Sequence, residues 1–278
     1  MYNSNAKINL GLSVLNKRKD GFHNIETFFQ EISLCDKIEI TPAESGIQIQ
    51  SDHKDCPGDE RNLAHQAAAA LQQTGCQGKG CIIKLSKQIP IGAGLGGGSS
   101  NAATVLGALN QKWECRQSRT RLTDIAASLG SDVPFFMSGG LAFGTGRGET
   151  LTPLLFKPVY RGLLIIPPFS ISTREIYENL SLTNKRKITK LKGFIDNFYR
   201  LDPWKETLEN DLQTVVLKKY PDLQDIINKL YASGAFFAQM SGSGSAFYGL
   251  FKSEDKLREC SQYFAGGFRK LLFEPIYK

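Results

Sequence analysis

Apolar and polar residues alternate in several separate stretches of the chain, a pattern typical of half-buried strands. It is clear over residues 6–16 (AKINLGLSVLN), and Asp20–Gly21 marks the turn that follows. IETFFQEISL (25–34) and DKIEITPAE (36–44) predict two further strands. Strands are also predicted at GCIIKLSKQIPI, in a hairpin over LAFGTGRGETLTPL, and at GLLIIPP, FFAQM and SAFYGLFKS.

Between these strands, apolar residues recur at helical spacing. Residues 59–73 are alanine-rich and end before Gly75. Residues 99–112 carry an apolar stripe, and Ser99 or Ser100 is the expected N-cap. Further helices are predicted over RTRLTDIAASLG, STREIYENL, residues 203–234 with a Tyr-Pro break, and LRECSQYF. Because strands and helices mix without a regular βαβ alternation, the pattern predicts an α+β fold rather than a doubly wound sheet.

The length of 278 residues suits one large domain or two ordinary ones. A soft boundary near residues 153–161 divides the chain into domains 1–157 and 158–278. With 41% apolar and 22% charged residues, the composition is that of a soluble globular protein, and no apolar run is long enough to span a membrane. The first residues lack the features of a signal peptide, so we expect a cytoplasmic protein without a membrane partner.

Cysteine usage and charge narrow the chemistry further. The six cysteines include no CxxC pair and are accompanied by three histidines, which disfavours zinc and predicts reduced, mostly structural thiols. The net charge of +7 suits an anionic partner such as a nucleotide or a phosphorylated substrate. The basic run at 185–192 (KRKITKLK) has no interleaved aromatic residues, so we interpret it as a solvated face and expect no nucleic-acid partner.

The stretch PIGAGLGGGSSNAA (90–103) is the strongest chemical signal in the chain. It matches GxGxxG, the dinucleotide-binding pattern, but Pro90 interrupts the strand and no strand ending in an acidic residue follows about 20 residues on. No Walker sequence, GxxxxGK[ST], is present. What remains is a glycine-rich turn that leads into a helix N-terminus.

Such a turn can bind phosphate, because bare glycines let backbone amides approach phosphate oxygens and the helix N-terminus adds partial positive charge. The alternative is a tight turn that holds no ligand. Three consecutive glycines cost backbone entropy that a plain turn does not need, which favours the phosphate interpretation.

Five segments, in order, resemble motifs of the GHMP kinases, the superfamily of galactose, homoserine, mevalonate and phosphomevalonate kinases. The glycine stretch resembles their phosphate loop. The others are AKINL (6–10), DGFH (20–23), LGSDVP (129–134) and MSGSGSA (240–246). The triple glycine followed by SSNAA is most similar to the branch whose acceptor carries a cytidine diphosphate.

The resemblance implies a two-domain α+β GHMP kinase fold, with a left-handed crossover in the N-terminal domain and a ferredoxin-like C-terminal domain. It implies transfer of the γ-phosphoryl group of ATP, with Mg²⁺, to a hydroxyl group of a cytidine diphosphate sugar alcohol, by a monomer or weak homodimer. We assign no direct protein ligand to the metal, and the serine hydroxyls of the loop can bond phosphate or reach Mg²⁺. The ATP-binding residues would be Pro90, Ile91, Gly92, Ala93, Gly94, Leu95, Gly96, Gly97, Gly98, Ser99 and Ser100.

Two residues are candidates for catalysis. From its chemistry alone, Asp132 is a plausible base, although an aspartate there is also a common helix N-cap. Lys7 lies in a predicted half-buried strand, where a lysine usually faces solvent. The resemblance makes them a pair, in which Asp132 accepts the proton of the hydroxyl group and Lys7 orients that group.

The resemblance also implies a cytidine site formed by Asn9, Phe22, His23, Thr173 and Tyr177. Phe22 and Tyr177 would sandwich the cytosine ring, and His23 would read its edge by hydrogen bonding. Without the resemblance, core packing is the simpler interpretation of both aromatic residues.

Three other segments have weaker assignments. Asn62 and Leu63 would lie near the adenine. The loop Ser241–Ser245 would cover the phosphates or steady the first glycine loop, with a plain turn as the alternative. We interpret the GTGRGE stretch around Arg147 as a structural turn.

Departures from the family pattern are small. Asn5 stands where proline is usual, and Phe22 where tyrosine is usual.

Two alternative functions remain. One is that of another GHMP kinase, against which DGFH and Tyr177 argue. The other is a non-catalytic nucleic-acid-binding protein, whose binding would depend steeply on salt.

Overall fold

The computed structural model describes residues 1–181, 191–264 and 267–278. Of the basic run that we interpret as a solvated face, Lys185, Arg186, Lys187 and Lys190 lie outside the described residues. Within the described ranges, no helix combines the length and apolar character needed to cross a membrane.

Strands and helices alternate irregularly along the chain. The strands are β1 (Tyr2–Lys17), β2 (His23–Ala43), β3 (Ile47–Ser51), β4 (Gly80–Ser86), β5 (Leu141–Thr145), β6 (Thr150–Pro153), β7 (Arg161–Ile166), β8 (Phe237–Met240), β9 (Phe247–Phe251) and β10 (Arg269–Phe273). The α-helices are α1 (Leu63–Gln73), α2 (Gly97–Lys112), α3 (Arg119–Leu129), α4 (Val133–Ser138), α5 (Thr173–Glu178), α6 (Trp204–Thr207), α7 (Asp211–Lys219), α8 (Gln224–Ala232) and α9 (Glu254–Tyr263). Short 3-10 helices occupy Lys192–Asn197 and Pro221–Leu223.

The first of two compact units comprises Met1–Ala6, Cys35–Ile91 and Gly96–Gly139. In it the second half of β2 pairs antiparallel with β4, and β3 pairs parallel with β4 on the other side. Helices α1 and α2 pack closely because their facing residues are small. The core contains Ala64, Ala67, Ala68, Ala102 and Val105, all with no exposed surface.

The second unit comprises Lys7–Leu34, Gly92–Leu95 and Gly140–Lys278. Here the first half of β2 pairs with β5, which forms a hairpin with β6. A separate antiparallel sheet has the order β10-β7-β9-β8. Apolar residues of α7, α8 and α9 cover it, and its core includes Leu163, Ile165, Leu230, Phe247 and Cys260.

The predicted strands differ from the observed ones in two ways. The two strands predicted over 25–44 are the single 21-residue strand β2. It continues because its two halves have successive partners, β5 at Thr27–Gln30 and β4 at Lys37–Ala43, so ladder bonds support the strand over most of its length. We did not predict β3 or β10, because the pairing of β3 with β4 and that of β10 with β7 are long-range contacts that have no local signal.

The predicted cap of α2 was also wrong. The helix begins at Gly97, and the N-cap is Gly96 in a left-handed conformation (φ 70°, ψ 18°) rather than a serine. The amide of Ser100 donates to the Gly96 carbonyl at 2.9 Å. Because a glycine adopts this conformation at little cost, the helix starts before the serines, which lie in its first turn.

The expectation of six reduced thiols fails at one pair. Cys76 and Cys115 form a disulfide bond with a Cα–Cα distance of 5.7 Å. Cys76 follows α1 and Cys115 follows α2, and the packing of these helices brings their ends together. The four cysteines at 35, 56, 81 and 260 are free.

Candidate active site

The glycine loop follows β4 and ends in the first turn of α2. Gly92, Gly94 and Gly96 have φ values of 70°, 77° and 70°, a region that residues with side chains rarely adopt. Among the described residues, no side chain caps α2. The first amides of a helix have no partner within it, so those of the first turn are suited to bind an anion.

Gly98 distinguishes between a phosphate-binding loop and a tight turn that holds no ligand. A Cβ atom at Gly94 would lie 2.2 Å from the Ser241 carbonyl oxygen, and one at Gly97 2.9 Å from the Ile89 side chain, so packing requires these two glycines. Among the described residues, a Cβ atom at Gly98 would meet only Leu63, at 3.6 Å. Gly98 therefore weakens the helix by about 1 kcal/mol relative to alanine without a packing reason. A ligand that approaches the backbone supplies a reason.

The second glycine loop, Ser241–Ser245, packs against residues 93–95 of the first within the second unit. The Ser241 hydroxyl donates to the Gly94 carbonyl at 3.0 Å, and the Ala246 amide donates to the Ala93 carbonyl at 3.1 Å. Asn210 donates to the carbonyls of Met240 and Gly242, at 2.9 and 2.8 Å. These bonds favour the expectation that this loop steadies the first.

Lys7 is only 3% exposed, unlike the usual lysine of a half-buried strand. Its Nζ donates to Asn9 Oδ1 at 2.6 Å and lies 5.5 Å from the centre of the Phe29 ring. The amide nitrogen of Asn9 donates to Thr27 Oγ1 at 3.0 Å, which turns Asn9 Oδ1 toward the lysine. The Lys7 amide donates to the Leu95 carbonyl at 3.0 Å, so the strand is tied to the glycine loop.

Asp132 belongs to the first unit and occupies the N-cap position of α4, before Pro134. Its side chain is partly buried and makes no capping hydrogen bond. Its position is the one that the simple alternative, an N-cap aspartate, predicts. Lys7 belongs to the second unit, so the pairing of the two residues stays a prediction.

The aromatic residues expected to bind cytidine lie in the second unit. His23 stacks on Tyr177, with ring centres 5.0 Å apart and planes at 26°. Phe22, half exposed, lies instead against the Arg147 guanidinium, 4.9 Å from the ring centre. Burial lowers the pKa of His23, with a smaller contribution from the charge of Lys17, so the imidazole is neutral near pH 7.

Other contacts join Thr173 and Arg147 to this region. The hydroxyls of Thr173 and Ser243 are 2.6 Å apart, which links the start of α5 to the second glycine loop. Sequence reasoning treated the turn around Arg147 as purely structural, but its side chain contacts a predicted substrate residue. The one feature of the sequence that could have indicated a functional role was an arginine, Arg147, between two glycines.

The remaining assignments concern adenine and the metal. Asn62 is the N-cap of α1, and its side-chain oxygen Oδ1 accepts a hydrogen bond from the backbone amide of Ala64 at 2.9 Å. Among the described residues, no group of three His, Cys, Asp or Glu side chains could hold a metal. Mg²⁺ in kinases is bound mainly by phosphates, water and one or two protein oxygens, a need that Ser99 and Asp132 fit chemically.

Two family models match the chain. Residues 62–140 match the model of the GHMP kinases N terminal domain, and residues 193–269 match that of the GHMP kinases C terminal region. Similarity to a solved mevalonate kinase from Methanococcus jannaschii (TM-score 0.78, 14% identity, 99% and 98% of the two chains) supports the fold alone. These matches confirm the predicted α+β GHMP kinase fold.

Relatives with higher sequence identity show to which family within the GHMP kinases the chain belongs. The chain is 43% identical to the 4-diphosphocytidyl-2-C-methyl-D-erythritol kinase of Syntrophus aciditrophicus, over 92% of this chain and 91% of the relative. It is 39% identical to that of Geobacillus thermodenitrificans, over 94% and 93%. A crystal structure of 4-(cytidine 5'-diphospho)-2C-methyl-D-erythritol kinase aligns with a TM-score of 0.82 at 32% identity, over 99% and 98%. The chain therefore belongs to the 4-diphosphocytidyl-2-C-methyl-D-erythritol kinases, a family within the GHMP kinases.

Proposed function

We propose that the protein transfers the γ-phosphoryl group of ATP to the 2-hydroxyl of 4-diphosphocytidyl-2-C-methyl-D-erythritol. The products are ADP and the 2-phosphate of the acceptor, and this 2-phosphate is an intermediate of non-mevalonate isoprenoid biosynthesis. The observation that carries this substrate is the stack of His23 on Tyr177. Flat aromatic surface suits a nucleobase, whereas mevalonate and homoserine offer nothing to stack.

ATP binds at residues 90–100, with its phosphates at the amides of the first turn of α2. The bare backbone at Gly98 supports this assignment. When bound, Mg²⁺ would offset part of the negative charge of the phosphates. Ser99 is the hydroxyl that suits the metal or phosphate, because Ser100 is buried and its oxygen accepts from Ser4 at 2.7 Å.

Lys7 and Asp132 act on the acceptor hydroxyl. The new bond joins the 2-oxygen to the γ-phosphorus, and the bond between that phosphorus and the bridging oxygen of ADP breaks. Asp132 accepts the hydroxyl proton, a role worth about 10²–10⁴-fold in rate. Lys7 orients the hydroxyl and offsets its developing charge, and Asn9 fixes the lysine through the 2.6 Å hydrogen bond.

The cytidine group binds at Asn9, Phe22, His23, Thr173 and Tyr177. A neutral His23 offers one donor and one acceptor nitrogen, which suits the edge of cytosine, where an amino group lies beside a ring nitrogen. Its stack on Tyr177 keeps the imidazole oriented before the substrate arrives.

The remaining features are proposed with the same function. The domain boundary lies at 157/158, and the two family matches at 62–140 and 193–269 fall on either side of it. We place the enzyme in the cytoplasm, as a monomer or weak homodimer that binds small molecules and no nucleic acid.

Release of ADP tests the proposal. Purified protein with Mg²⁺ and ATP would be assayed with 4-diphosphocytidyl-2-C-methyl-D-erythritol, mevalonate, homoserine or no acceptor. Turnover with the cytidine compound alone, lost in Asp132→Ala and kept in Asp124→Ala, an exposed aspartate of the same unit, is the expected result. Turnover with another acceptor only would contradict the substrate, and equal turnover in both variants would contradict the base.

A further inference from the structure

The two ends of the glycine loop meet at one buried carboxylate, Asp36, which has no exposed surface. It lies in the middle of β2, where the sequence pattern predicts only sheet. Its Oδ1 accepts from the amides of Gln88 and Ile89, at 2.8 and 2.9 Å, just before Pro90. Its Oδ2 accepts from the side-chain amide of Asn101, at 2.9 Å, just after the loop.

A network of buried polar groups extends this connection. Lys87 forms an ion pair with Asp36, and its Nζ also donates to Asn101 Oδ1 at 2.9 Å. Asn101 donates to the Ser4 hydroxyl at 2.9 Å, and Ser4 donates to Ser100 at 2.7 Å. Ser4, Ser100 and Asn101 are each at most 2% exposed, so water does not compete for these bonds.

Close packing carries any shift of these ends to the loop amides. A Cβ atom at Gly97 would lie 2.9 Å from Ile89 and 3.5 Å from Lys87 Nζ, so the helix start sits directly on the segment that Asp36 holds. If that segment moved, the first amides of α2 would move with it. Binding groups that are displaced by even 1 Å lose much of their effect.

We propose that Asp36 is a positioning residue for ATP, because it holds both ends of the glycine loop in register. This inference rests on the proposed binding of ATP at the loop. It assigns Asp36 no contact with ATP or with the acceptor. It predicts that the affinity for ATP depends on the bonds from Asp36 to the loop ends, apart from any effect on folding.

A pair of double variants isolates these bonds. A single change at Asp36 would leave Lys87 as an unpaired buried cation, so both variants carry Lys87→Met. Asp36→Asn/Lys87→Met keeps an oxygen that accepts from the amides of Gln88 and Ile89. Asp36→Ala/Lys87→Met has the same charge and lacks that oxygen. Ser4→Ala is a milder, uncharged change at the other end of the network.

The readouts are KM for ATP, KM for the cytidine substrate and stability to urea. We expect KM for ATP to be about tenfold higher in the alanine double variant than in the asparagine one, with equal KM for the cytidine substrate. Ser4→Ala should raise KM for ATP severalfold. Ile40→Ala, a core change in the same strand, should lose stability and keep KM for ATP.

Equal KM values for ATP in the two double variants would overturn the inference. If the alanine double variant does not fold, an unchanged KM for ATP in Ser4→Ala overturns it instead. Gly98→Ala, a change in the loop itself, distinguishes this failure from failure of the proposed site. If KM for ATP rises in Gly98→Ala while the two double variants have equal KM for ATP, only the positioning role of Asp36 is rejected. If KM for ATP is unchanged in every variant, the proposed ATP site at the loop is rejected as well.

Discussion

Single residues decide whether the glycine loop binds phosphate. In Gly98→Ala the added methyl group would lie in the first turn of α2 and, of the residues described, would meet only Leu63, at ordinary contact distance. We expect KM for ATP to rise at least about tenfold, since the methyl group occupies space that phosphate needs. Stability to urea should stay equal or rise by up to about 1 kcal/mol, because alanine favours a helix more than glycine.

Gly107 provides the matched control in the same helix. A Cβ atom there would meet nothing within 4 Å in the part of the chain that the structure describes. Gly107→Ala should therefore stabilise α2 similarly and leave KM for ATP unchanged. If both variants keep the wild-type KM, Gly98 faces no ligand, and the loop is a turn without a phosphate.

His23 predicts a pH dependence whose sign follows from its lowered pKa. Burial lowers the pKa of His23 in the folded state below 6.5, so at pH 7 the ring is mostly neutral both folded and unfolded and contributes little slope. Below about pH 6.5 the unfolded chain binds the proton first, and stability falls with pH. In His23→Gln this loss between pH 7.5 and 5 should become smaller, as measured by urea unfolding.

Substrate binding tests the same residue by a second route. If the neutral imidazole recognises cytosine, KM for the cytidine substrate should rise as pH falls below 6.5, while KM for ATP does not follow it. A KM for the cytidine substrate with the same pH profile in His23→Gln as in the wild type would exclude this role.

Elements were predictable from the sequence where their signal is local. The alternation of β1, the hairpin of β5 and β6 and the alanine-rich face of α1 are all local patterns, and each is present. Strand β10 and the joining of two predicted strands into β2 depend on partners distant in the chain. The start of α2 depends on the backbone conformation of Gly96, which overrides the capping preference of two serines.

The candidate site also has features that the local sequence predicts and features that depend on long-range contacts. Its motifs were readable, because Lys7, His23 and the glycine loop lie in short segments that resemble a family. The burial of Lys7 and the role of Asn9 beside it were not, since both depend on contacts between neighbouring strands. Asp36 gave no signal, because the pattern shows it only as the first residue of a predicted strand, and its partners at residues 88, 89 and 101 are distant in the chain.

The disulfide between the ends of α1 and α2 predicts a redox-dependent stability. It closes a loop of 39 residues, and constraint of the unfolded chain by such a loop is worth about 4 kcal/mol. Dithiothreitol should therefore lower the stability of the wild type by a few kcal/mol, as measured by urea unfolding, and leave Cys76→Ser/Cys115→Ser unaffected. Cys35→Ser, a change at a free cysteine, should keep the wild-type response. An equal response of the double variant to the reductant would show that this bond does not stabilise the protein.

At the scale of the whole molecule, the proposed function assigns roles to residues of both units. Lys7 belongs to the second unit and Asp132 to the first, and the chain passes repeatedly from one unit to the other. The glycine loop is itself divided, since Gly92–Leu95 belong to the second unit and the residues on either side to the first. Phosphoryl transfer depends mainly on alignment, so groups that align one hydroxyl should act as a unit.

A double-mutant cycle tests that unity. We expect Lys7→Ala and Asp132→Ala each to lower kcat by about 10²–10⁴-fold, and the double variant to be little slower than the slower single variant. Without Lys7 the hydroxyl is misplaced, so Asp132 can no longer accept its proton efficiently. Without Asp132 the proton has no acceptor, so correct orientation of the hydroxyl by Lys7 accelerates the reaction little. Tyr177→Phe combined with Asp132→Ala is the control, because a change in cytidine binding should add to the loss of the base. Additive losses for Lys7 and Asp132 would mean that they serve separate steps, and the assignment of the pair to one hydroxyl would then fail.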